Sequence, residues 1–186
     1  MSWHVDIPLW PTHQAPLRSF YAVSIPDNNF GITSFADRAW GYSNMPTEQQ
    51  NEAQRWELLY QSWYQPGTHL TYLPVVGVSP YDGTQYLQYT SFSNSAEKYS
   101  HRWHGWKVHG WILGAKRDGE PKTADYVTTL HDYTLHDCNI FDLKWEEQDF
   151  AIWNNTHMIH SRSTLSSELH TKPRTFYRMN MFNTWQ

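Results

Sequence analysis

Alternating apolar and polar residues, interrupted by turn signals, recur along the chain and predict a mainly β fold. The candidate strands are short and rich in β-branched and aromatic residues. They cover Trp3–Leu9, Leu17–Ile25, Gly31–Phe35, Tyr72–Val78, Gln85–Ser91, Ile140–Trp145, Phe150–Asn154 and Thr175–Phe182. Between two of these strands, Asp82-Gly83 supplies the turn of a predicted hairpin.

Two segments have helical spacing instead. Thr47, with Gln50 three residues later, is a helix-capping pattern, and apolar residues then recur every three or four positions. We therefore expect a helix that begins at Thr47 and ends at Pro66-Gly67, and a second helix over Thr123–Leu135. Many short strands with two helices indicate a β-sandwich or barrel decorated by helices.

The composition is typical of a single globular domain, which we expect to span residues 1–186. The 11 Trp, 12 Tyr and 8 Phe fit core packing, with some rings available to line a cavity. A net charge of -4 without a Lys/Arg run argues against nucleic-acid binding, and no apolar run reaches membrane-spanning length. Cys138 is the only cysteine, so internal disulfides are excluded and a cytoplasmic location is expected.

The strongest chemical signal is a histidine followed two residues later by an aspartate, His4-Val5-Asp6. Residues i and i+2 of a strand point to the same side, so both side chains can reach one metal. His160, far downstream, would complete a set of two imidazoles and one carboxylate, which suits Fe(II) and O₂ chemistry. Composition alone gives about one chance match to this short motif, so it needs support from elsewhere.

That support comes from the order of four segments along nearly the whole chain. Together they resemble the taurine dioxygenase-like (TauD/TfdA) family of Fe(II)- and 2-oxoglutarate-dependent oxygenases. The resemblance implies a double-stranded β-helix, a jelly roll of the clavaminate synthase-like type, in an N-terminally minimal version. The segments that carry it are Trp3–Asp6, Gly31–Thr33, Asp149–Asn155 followed by His160, and Pro173–Arg178.

The resemblance also assigns the metal ligands. His4, Asp6 and His160 match the three residues that hold iron, and they are the catalytic residues that it implies. His157 is the nearest competitor, but two strand residues three positions apart point to opposite faces. Members that halogenate have a small residue in place of the carboxylate, so Asp6 implies hydroxylation or a related oxidation.

Three further positions match cosubstrate and substrate contacts. Arg174 matches the arginine that binds the distal carboxylate of 2-oxoglutarate, for which a planar guanidinium is well suited. Thr33 matches a hydroxyl that assists at that carboxylate, with Ser34 as the alternative. Arg178 matches a position that in several members faces the anionic group of the substrate or the cosubstrate. Arg174 and Arg178 are roughly 13 Å apart along one strand, which favours separate roles.

The function that the resemblance implies is hydroxylation of a small organic substrate, anionic or amino-acid-like, with release of succinate and CO₂. The substrate and O₂ are the expected partners. One alternative is an oxygenase for a quaternary-ammonium substrate held by aromatic rings. Others are a non-catalytic, degenerate jelly-roll binding module and a cupin-like metal-dependent isomerase. Arg174 argues against both, because its purpose is to bind a dicarboxylic cosubstrate.

Two features remain outside this assignment. The segment His101–Trp111 contains several histidines and tryptophans without a regular register, which favours a lid or wall over the site, or packing, rather than a second metal centre. Family members usually have a longer segment before the His-x-Asp strand. The sequence is therefore expected to be a minimal natural version, a gene fragment, or a subunit whose missing wall comes from a partner. A jelly roll without that longer segment would leave strand edges open, and proteins normally cover such edges. We therefore expect a homodimer or higher oligomer.

Overall fold

Antiparallel strands form most of the regular structure in the computed structural model, which describes residues 3–6, 16–25, 32–65, 67–89, 111–122, 126–162 and 174–181. The strands are β1 (Leu17–Ser24), β2 (Thr33–Asp37), β3 (Trp56–Gln65), β4 (Gly67–Pro74), β5 (Val76–Val78), β6 (Gln85–Leu87), β7 (Trp111–Arg117), β8 (Glu120–Lys122), β9 (Ile140–Leu143), β10 (Phe150–Asn154), β11 (Met158–Arg162) and β12 (Thr175–Met181). The α-helices are α1 (Arg38–Ser43), α2 (Thr47–Ala53) and α3 (Tyr126–Thr134).

Two three-stranded sheets, with strand orders β10-β1-β12 and β11-β2-β9, pack face to face. Aromatic rings fill the space between them. Phe20 of the first sheet lies 5.0 Å from Trp153 and 6.2 Å from Trp145, measured between ring centroids, and Trp153 lies 5.4 Å from Phe35 of the second sheet. This is the mainly β, two-layer arrangement with helices that the sequence predicts.

The sheet that contains β2 and β11 is covered on both faces. Thr33 and Phe35 of β2 point toward the first sheet, whereas Ala36 of β2 and Ile159 of β11 belong to a second core cluster with Leu130 of α3. Because side chains alternate along a strand, a segment buried on both faces carries few exposed residues. The face with Thr33 and Phe35 therefore borders the candidate site, and the face with Ala36 and Ile159 belongs to the structural core.

The remaining strands add to the core on the far side of the second sheet, where Leu58, Leu87 and Ala115 belong to the same cluster as Ala36 and Ile159. A four-stranded sheet has the order β4-β3-β7-β8, and β5 pairs with β6 as a hairpin. Gly83 in that hairpin's loop has φ of +73°, a conformation that glycine adopts without a steric penalty. The Asp82-Gly83 turn predicted from the sequence is thus present.

The predicted helix that begins at Thr47 is wrong in its second half. α2 ends at Ala53, and residues from Trp56 onward form β3. β3 pairs with β4 on one side and β7 on the other, so its backbone groups are satisfied by neighbouring strands. The apolar residues at 56, 59, 60 and 63 imitate helical spacing, but they are bulky residues that fit a sheet, and tertiary pairing decides between the two.

Two predictions fall partly outside the described residues. Within residues 3–6 the predicted first strand is reduced to one β-bridge, formed by His4, and the rest of Trp3–Leu9 is not described. Of the histidine- and tryptophan-rich segment, residues 101–110 lie outside the described ranges, and Trp111 begins β7. None of the helices in the described ranges has the length and hydropathy needed to span a bilayer.

Candidate metal and cosubstrate site

His4 and His160 lie side by side because their backbones form an antiparallel β-bridge. The His4 N–H donates to the carbonyl of His160 at 2.8 Å, and the His160 N–H donates to the carbonyl of His4 at 2.9 Å. Residues paired in this way point their side chains to the same face. The two imidazole centroids are accordingly 4.4 Å apart.

Asp6 joins the two histidines because the chain alternates around Val5. Val5 is buried in the core cluster, so His4 and Asp6 both point the other way. Nε2 of His4 lies 4.0 Å from Oδ1 of Asp6, and Nε2 of His160 lies 4.0 Å from its Oδ2. One possible ligand atom from each of the three residues lies within 4.8 Å of the others.

These distances are too long for hydrogen bonds but suit atoms that share a metal. Two ligand atoms each about 2.1 Å from one ion are roughly 3–4 Å apart, so small side-chain rotations would complete the site. Oδ2 of Asp6 is buried and has no hydrogen-bond partner among the described residues. Two imidazole nitrogens and a carboxylate oxygen are donors that suit Fe(II). The residues present therefore fit the iron that the family resemblance implies.

The protonation states also favour metal binding. Burial, with smaller contributions from neighbouring charges, lowers the pKa of His160 to about 3, so this imidazole is neutral at pH 7 and can donate its lone pair. Burial acts to raise the pKa of Asp6, but His160, Arg178, His4 and Arg18 act against it and the net direction is downward. Asp6 is therefore ionised at neutral pH.

Asn154 and Asn155 shape the turn that leads to His160. Oδ1 of Asn154 accepts the N–H of Thr156 at 2.9 Å, and Nδ2 of Asn155 donates to the carbonyl of Asp6 at 2.9 Å. The second bond ties the N-terminal segment to the turn. His157, within this turn, packs its ring 5.4 Å from that of Tyr86 and is not part of the three-residue cluster.

Arg174 and Thr33 meet on the inner surface, where Thr33 lies two residues along β2 from Phe35, the residue that pairs with His160. Nη2 of Arg174 donates to Oγ1 of Thr33 at 3.0 Å, and Nε1 of Trp145 donates to the same oxygen at 2.9 Å. The guanidinium also stacks on Phe176, with its carbon 4.6 Å from the ring centroid. A planar cation fixed by a ring and a hydroxyl is well placed to bind a carboxylate.

Thr33, rather than Ser34, lies on the side of β2 that faces Arg174. Ser34 points to the other side of the strand and its hydroxyl donates to the carboxylate of Asp142. The alternation of side chains along β2 explains the difference. Of the two hydroxyls that the sequence left open, Thr33 is the one in contact with the arginine.

Arg178 lies near Asp6 and is half exposed. Its Nη1 is 3.6 Å from Oδ1 of Asp6, and 52% of the side chain is accessible to solvent. Phe20 pairs with Arg178 across β1 and β12. The guanidinium therefore lies between the metal cluster and solvent, where an entering molecule can meet it.

Sequence reasoning missed two residues of this surface, Arg18 and Trp145. Arg18 is fully buried and lies on the same face of β1 as Phe20 and Ala22, a position that the strand alternation marks as inward. A charged residue at an inward position was the signal that could have identified it. Trp145, the partner of Thr33, gives no comparable signal, because it follows β9 and lies outside any strand.

The family model described as taurine catabolism dioxygenase TauD, TfdA family matches residues 1–180. The chain belongs to the TauD/TfdA family. The resemblance that four short segments indicated is thereby confirmed. Members of this family depend on Fe(II) and 2-oxoglutarate. No curated protein sequence matches the chain.

Solved structures support the same fold. A taurine dioxygenase from Burkholderia xenovorans superposes with a TM-score of 0.72 at 17% identity, over 97% of this chain and 56% of that one. AAD-2, in complex with Mn(II) and N-oxalylglycine, gives a TM-score of 0.68 at 15% identity, over 98% of this chain and 68% of that one. The jelly-roll prediction is confirmed, and the chain spans little more than half the length of the taurine dioxygenase.

Proposed function

We propose that residues 1–186 form a single Fe(II)- and 2-oxoglutarate-dependent dioxygenase domain that hydroxylates a small anionic or amino-acid-like substrate. The observation that carries this proposal is the convergence of His4, Asp6 and His160 from the two ends of the chain. When bound, iron with 2-oxoglutarate and O₂ supplies the oxidising chemistry, with release of succinate and CO₂. The protein supplies binding, orientation and exclusion of water.

His4, Asp6 and His160 are the proposed metal ligands. His160 is held by β11 and is almost completely buried, whereas His4 and Asp6 depend on the β-bridge and on the Asn155 side chain. Three protein ligands on one face of a metal ion leave its other coordination positions open for the cosubstrate and O₂. These three residues therefore define both the location and the open face of the centre.

Arg174 and Thr33 are the proposed contacts for the distal carboxylate of 2-oxoglutarate. The hydroxyl of Thr33 already accepts from both Arg174 and Trp145, so it fixes the orientation of the guanidinium before any ligand binds. Preorganisation of this kind reduces the entropy lost on binding. The two residues would orient the cosubstrate so that its keto acid end faces the metal.

Arg178 is the proposed contact for an acidic group of the substrate. Its position beside Asp6 brings a bound anion close to the metal while its exposed side remains open. A quaternary-ammonium substrate is disfavoured, because both Arg178 and Arg18 act electrostatically on the same carboxylate and would repel a second cation. A small organic acid is the substrate class that this charge distribution favours.

We also propose that two copies of the chain associate through the outer face of the β10-β1-β12 sheet. Apolar side chains project from all three strands of this face and are between 38% and 68% exposed: Leu17, Tyr21, Val23, Phe150, Ile152, Tyr177 and Met179. Strand register places Phe150, Tyr21 and Tyr177 in one row. An apolar surface of this extent on a soluble domain usually marks an interface.

Light scattering tests the association. We expect a dimer or larger species for the unmodified chain and a shift toward monomer for Tyr177→Lys, which places a charge at the most exposed apolar residue of the face. A monomer at every concentration, with no effect of the substitution, would reject this interface.

A cytoplasmic location remains part of the proposal, since the free and exposed Cys138 suits a reducing compartment.

The oxygenase proposal is tested with His160→Ala and a matched control, His157→Ala. For both variants, Fe(II) binding would be measured without O₂, and succinate formation from 2-oxoglutarate would be measured with O₂ present. We expect the first variant to lose both properties, because it removes a proposed ligand, and the second to retain them, because His157 lies outside the cluster. Equal activity in the wild type and His160→Ala would disprove the assignment.

A further inference from the structure

Arg18 is a buried cation that the proposed chemistry does not yet use. It lies in the middle of the β10-β1-β12 sheet, directly opposite Trp153 on one side and Asn180 on the other. Its exposed fraction is 0%. None of its three side-chain nitrogens has a hydrogen-bond partner within the described part of the chain.

Such an arrangement is costly for the folded protein on its own. An arginine cannot relieve burial by losing its proton under physiological conditions, and an unpaired buried charge costs several kcal/mol. Among the described residues, the charged groups that act on Arg18 are Asp6, which is attractive, and Arg178, which is repulsive. Asp6 is already a proposed metal ligand, so a bound divalent metal would weaken the one attraction available.

The polar atoms around Arg18 are unpaired as well. Nε1 of Trp153 and Oδ1 of Asn180 are buried and have no hydrogen-bond partner among the described residues. The Trp153 ring is 5.4 Å from that of His160, which connects this group to the metal cluster. Buried polar groups are normally satisfied, so the unpaired N–H groups of Arg18 and Trp153, all of them donors, indicate a place for a ligand that accepts hydrogen bonds.

The ligand must be an anion. Arg18 and Arg178 lie diagonally across β1 and β12, since Arg18 pairs with Asn180 and Phe20 with Arg178, so their side chains share one face. Arg178 is exposed to solvent and Arg18 is not. An acidic group that enters past Arg178 and reaches Arg18 would neutralise both cations and satisfy donors that are otherwise unpaired.

We propose that Arg18 is a second oxyanion-binding residue of the substrate site, and that it holds the acidic group of the substrate together with Arg178. This inference rests on the proposed function and deepens it, because it assigns a specificity residue on β1. Carboxylate, sulfonate and phosphonate groups share the chemistry that a pair of guanidinium groups recognises. A substrate whose recognised group is cationic is excluded.

The test measures binding of small probes without turnover. Acetate, methanesulfonate, methylphosphonate and tetramethylammonium would be titrated against the metal-free chain, with thermal stabilisation and calorimetry as readouts. The variants are Arg18→Met, which removes the charge at similar volume, and Arg55→Met, which removes the same charge from an exposed arginine paired with Asp118. Arg55 thus controls for the change in net charge.

We expect at least one of the three oxyanions to bind the wild type. The one that binds most tightly indicates which acidic group the substrate carries. Arg18→Met should weaken this binding at least tenfold, Arg55→Met should leave it unchanged, and tetramethylammonium should not bind. Equal oxyanion affinity in Arg18→Met and the wild type, or no oxyanion binding to the wild type, would overturn the proposal.

Two further measurements keep the outcome decisive. Should Arg18→Met fail to fold, Arg18→Lys retains the charge but not the planar fork; we expect it to fold and bind the oxyanion more weakly, and wild-type affinity would count against the proposal. Succinate formation is measured separately. Oxyanion binding without succinate formation would reject the oxygenase function and leave the role of Arg18 standing. Succinate formation without oxyanion binding would reject the role of Arg18 and leave the oxygenase function standing.

Discussion

Arg18 and Arg38 are both buried in the described part of the chain, and their surroundings are opposite. Arg38, at the start of α1, donates to three backbone carbonyls, those of His157 at 3.2 Å, Tyr89 at 2.8 Å and Thr156. It also lies 5.1 Å from the centroid of the Tyr86 ring. Arg18, in the middle of β1, has no hydrogen bond to any described residue.

The difference separates a structural cation from a functional one. The carbonyls around Arg38 come from two distant loops, so its hydrogen bonds join parts of the chain that no sheet connects. Arg18 makes no such connection and lies beside the metal cluster. A buried polar group satisfied by its own chain contributes to the fold, whereas one left unsatisfied beside a site points to a missing ligand.

The largest expected effect comes from replacing each arginine by methionine. Arg38→Met leaves three buried carbonyls without donors, so we expect it to lower the free energy of unfolding by on the order of 3–5 kcal/mol. Arg18→Met removes an unpaired charge, and we expect it to be neutral or stabilising by about 1–4 kcal/mol. Urea unfolding of the ligand-free proteins measures both. Similar losses in the two variants would remove the distinction.

A third arginine extends the comparison to the cosubstrate. Arg174 is held by Thr33 and Phe176, so the orientation of its guanidinium is fixed before a ligand binds. Arg174→Lys should weaken 2-oxoglutarate binding by about 10–100-fold, since lysine lacks the planar fork. Anaerobic calorimetry with Fe(II) present measures the affinity. Unchanged affinity would place the distal carboxylate elsewhere.

His131 is a partly buried base that, unlike an arginine, can avoid the cost of a buried charge by staying neutral. Burial, slightly opposed by Asp132, lowers its pKa to about 4. Between this value and the unfolded value of about 6.5 the unfolded chain binds more protons, so stability decreases as pH falls.

Between pH 7 and pH 5 this contribution is at most about 2 kcal/mol. His131→Phe should retain packing against Tyr89, whose ring lies 4.8 Å from that of His131, and should lose that part of the pH dependence. Urea unfolding of metal-free protein at both pH values measures it. An identical pH dependence in the variant and the wild type would show that His131 does not titrate as described.

The smallest expected effect is that of replacing Ser34, and it is compared with replacement of its neighbour Thr33 on β2. Ser34→Ala removes a hydrogen bond to Asp142 and should cost about 1 kcal/mol or less of stability while leaving 2-oxoglutarate affinity unchanged. Thr33→Val removes the acceptor for Arg174 and Trp145 and should weaken 2-oxoglutarate binding. If Ser34→Ala weakened it more than Thr33→Val, the two assignments would have to be exchanged.

Local sequence signals were sufficient for strands in which buried and exposed side chains alternate. The strands around Leu17, Phe150 and Thr175 were predicted nearly at their observed bounds, because each has one buried and one exposed face. The spacing of His4 and Asp6 indicated a shared side, and Val5 between them packs into the core as that alternation requires. Family resemblance supplied His160 and Arg174, which no short-range pattern identifies.

Only the tertiary structure decided the rest, because it depends on contacts between residues far apart in the chain. Pairing with β4 and β7 made a strand of residues 56–65, which have helical spacing. The face of β2 that meets Arg174 selected Thr33 over Ser34. Burial without a partner distinguished Arg18 from Arg38. The sequence determines which residues can carry charge or bind metal, and long-range packing determines which of them remain unsatisfied and open to a ligand.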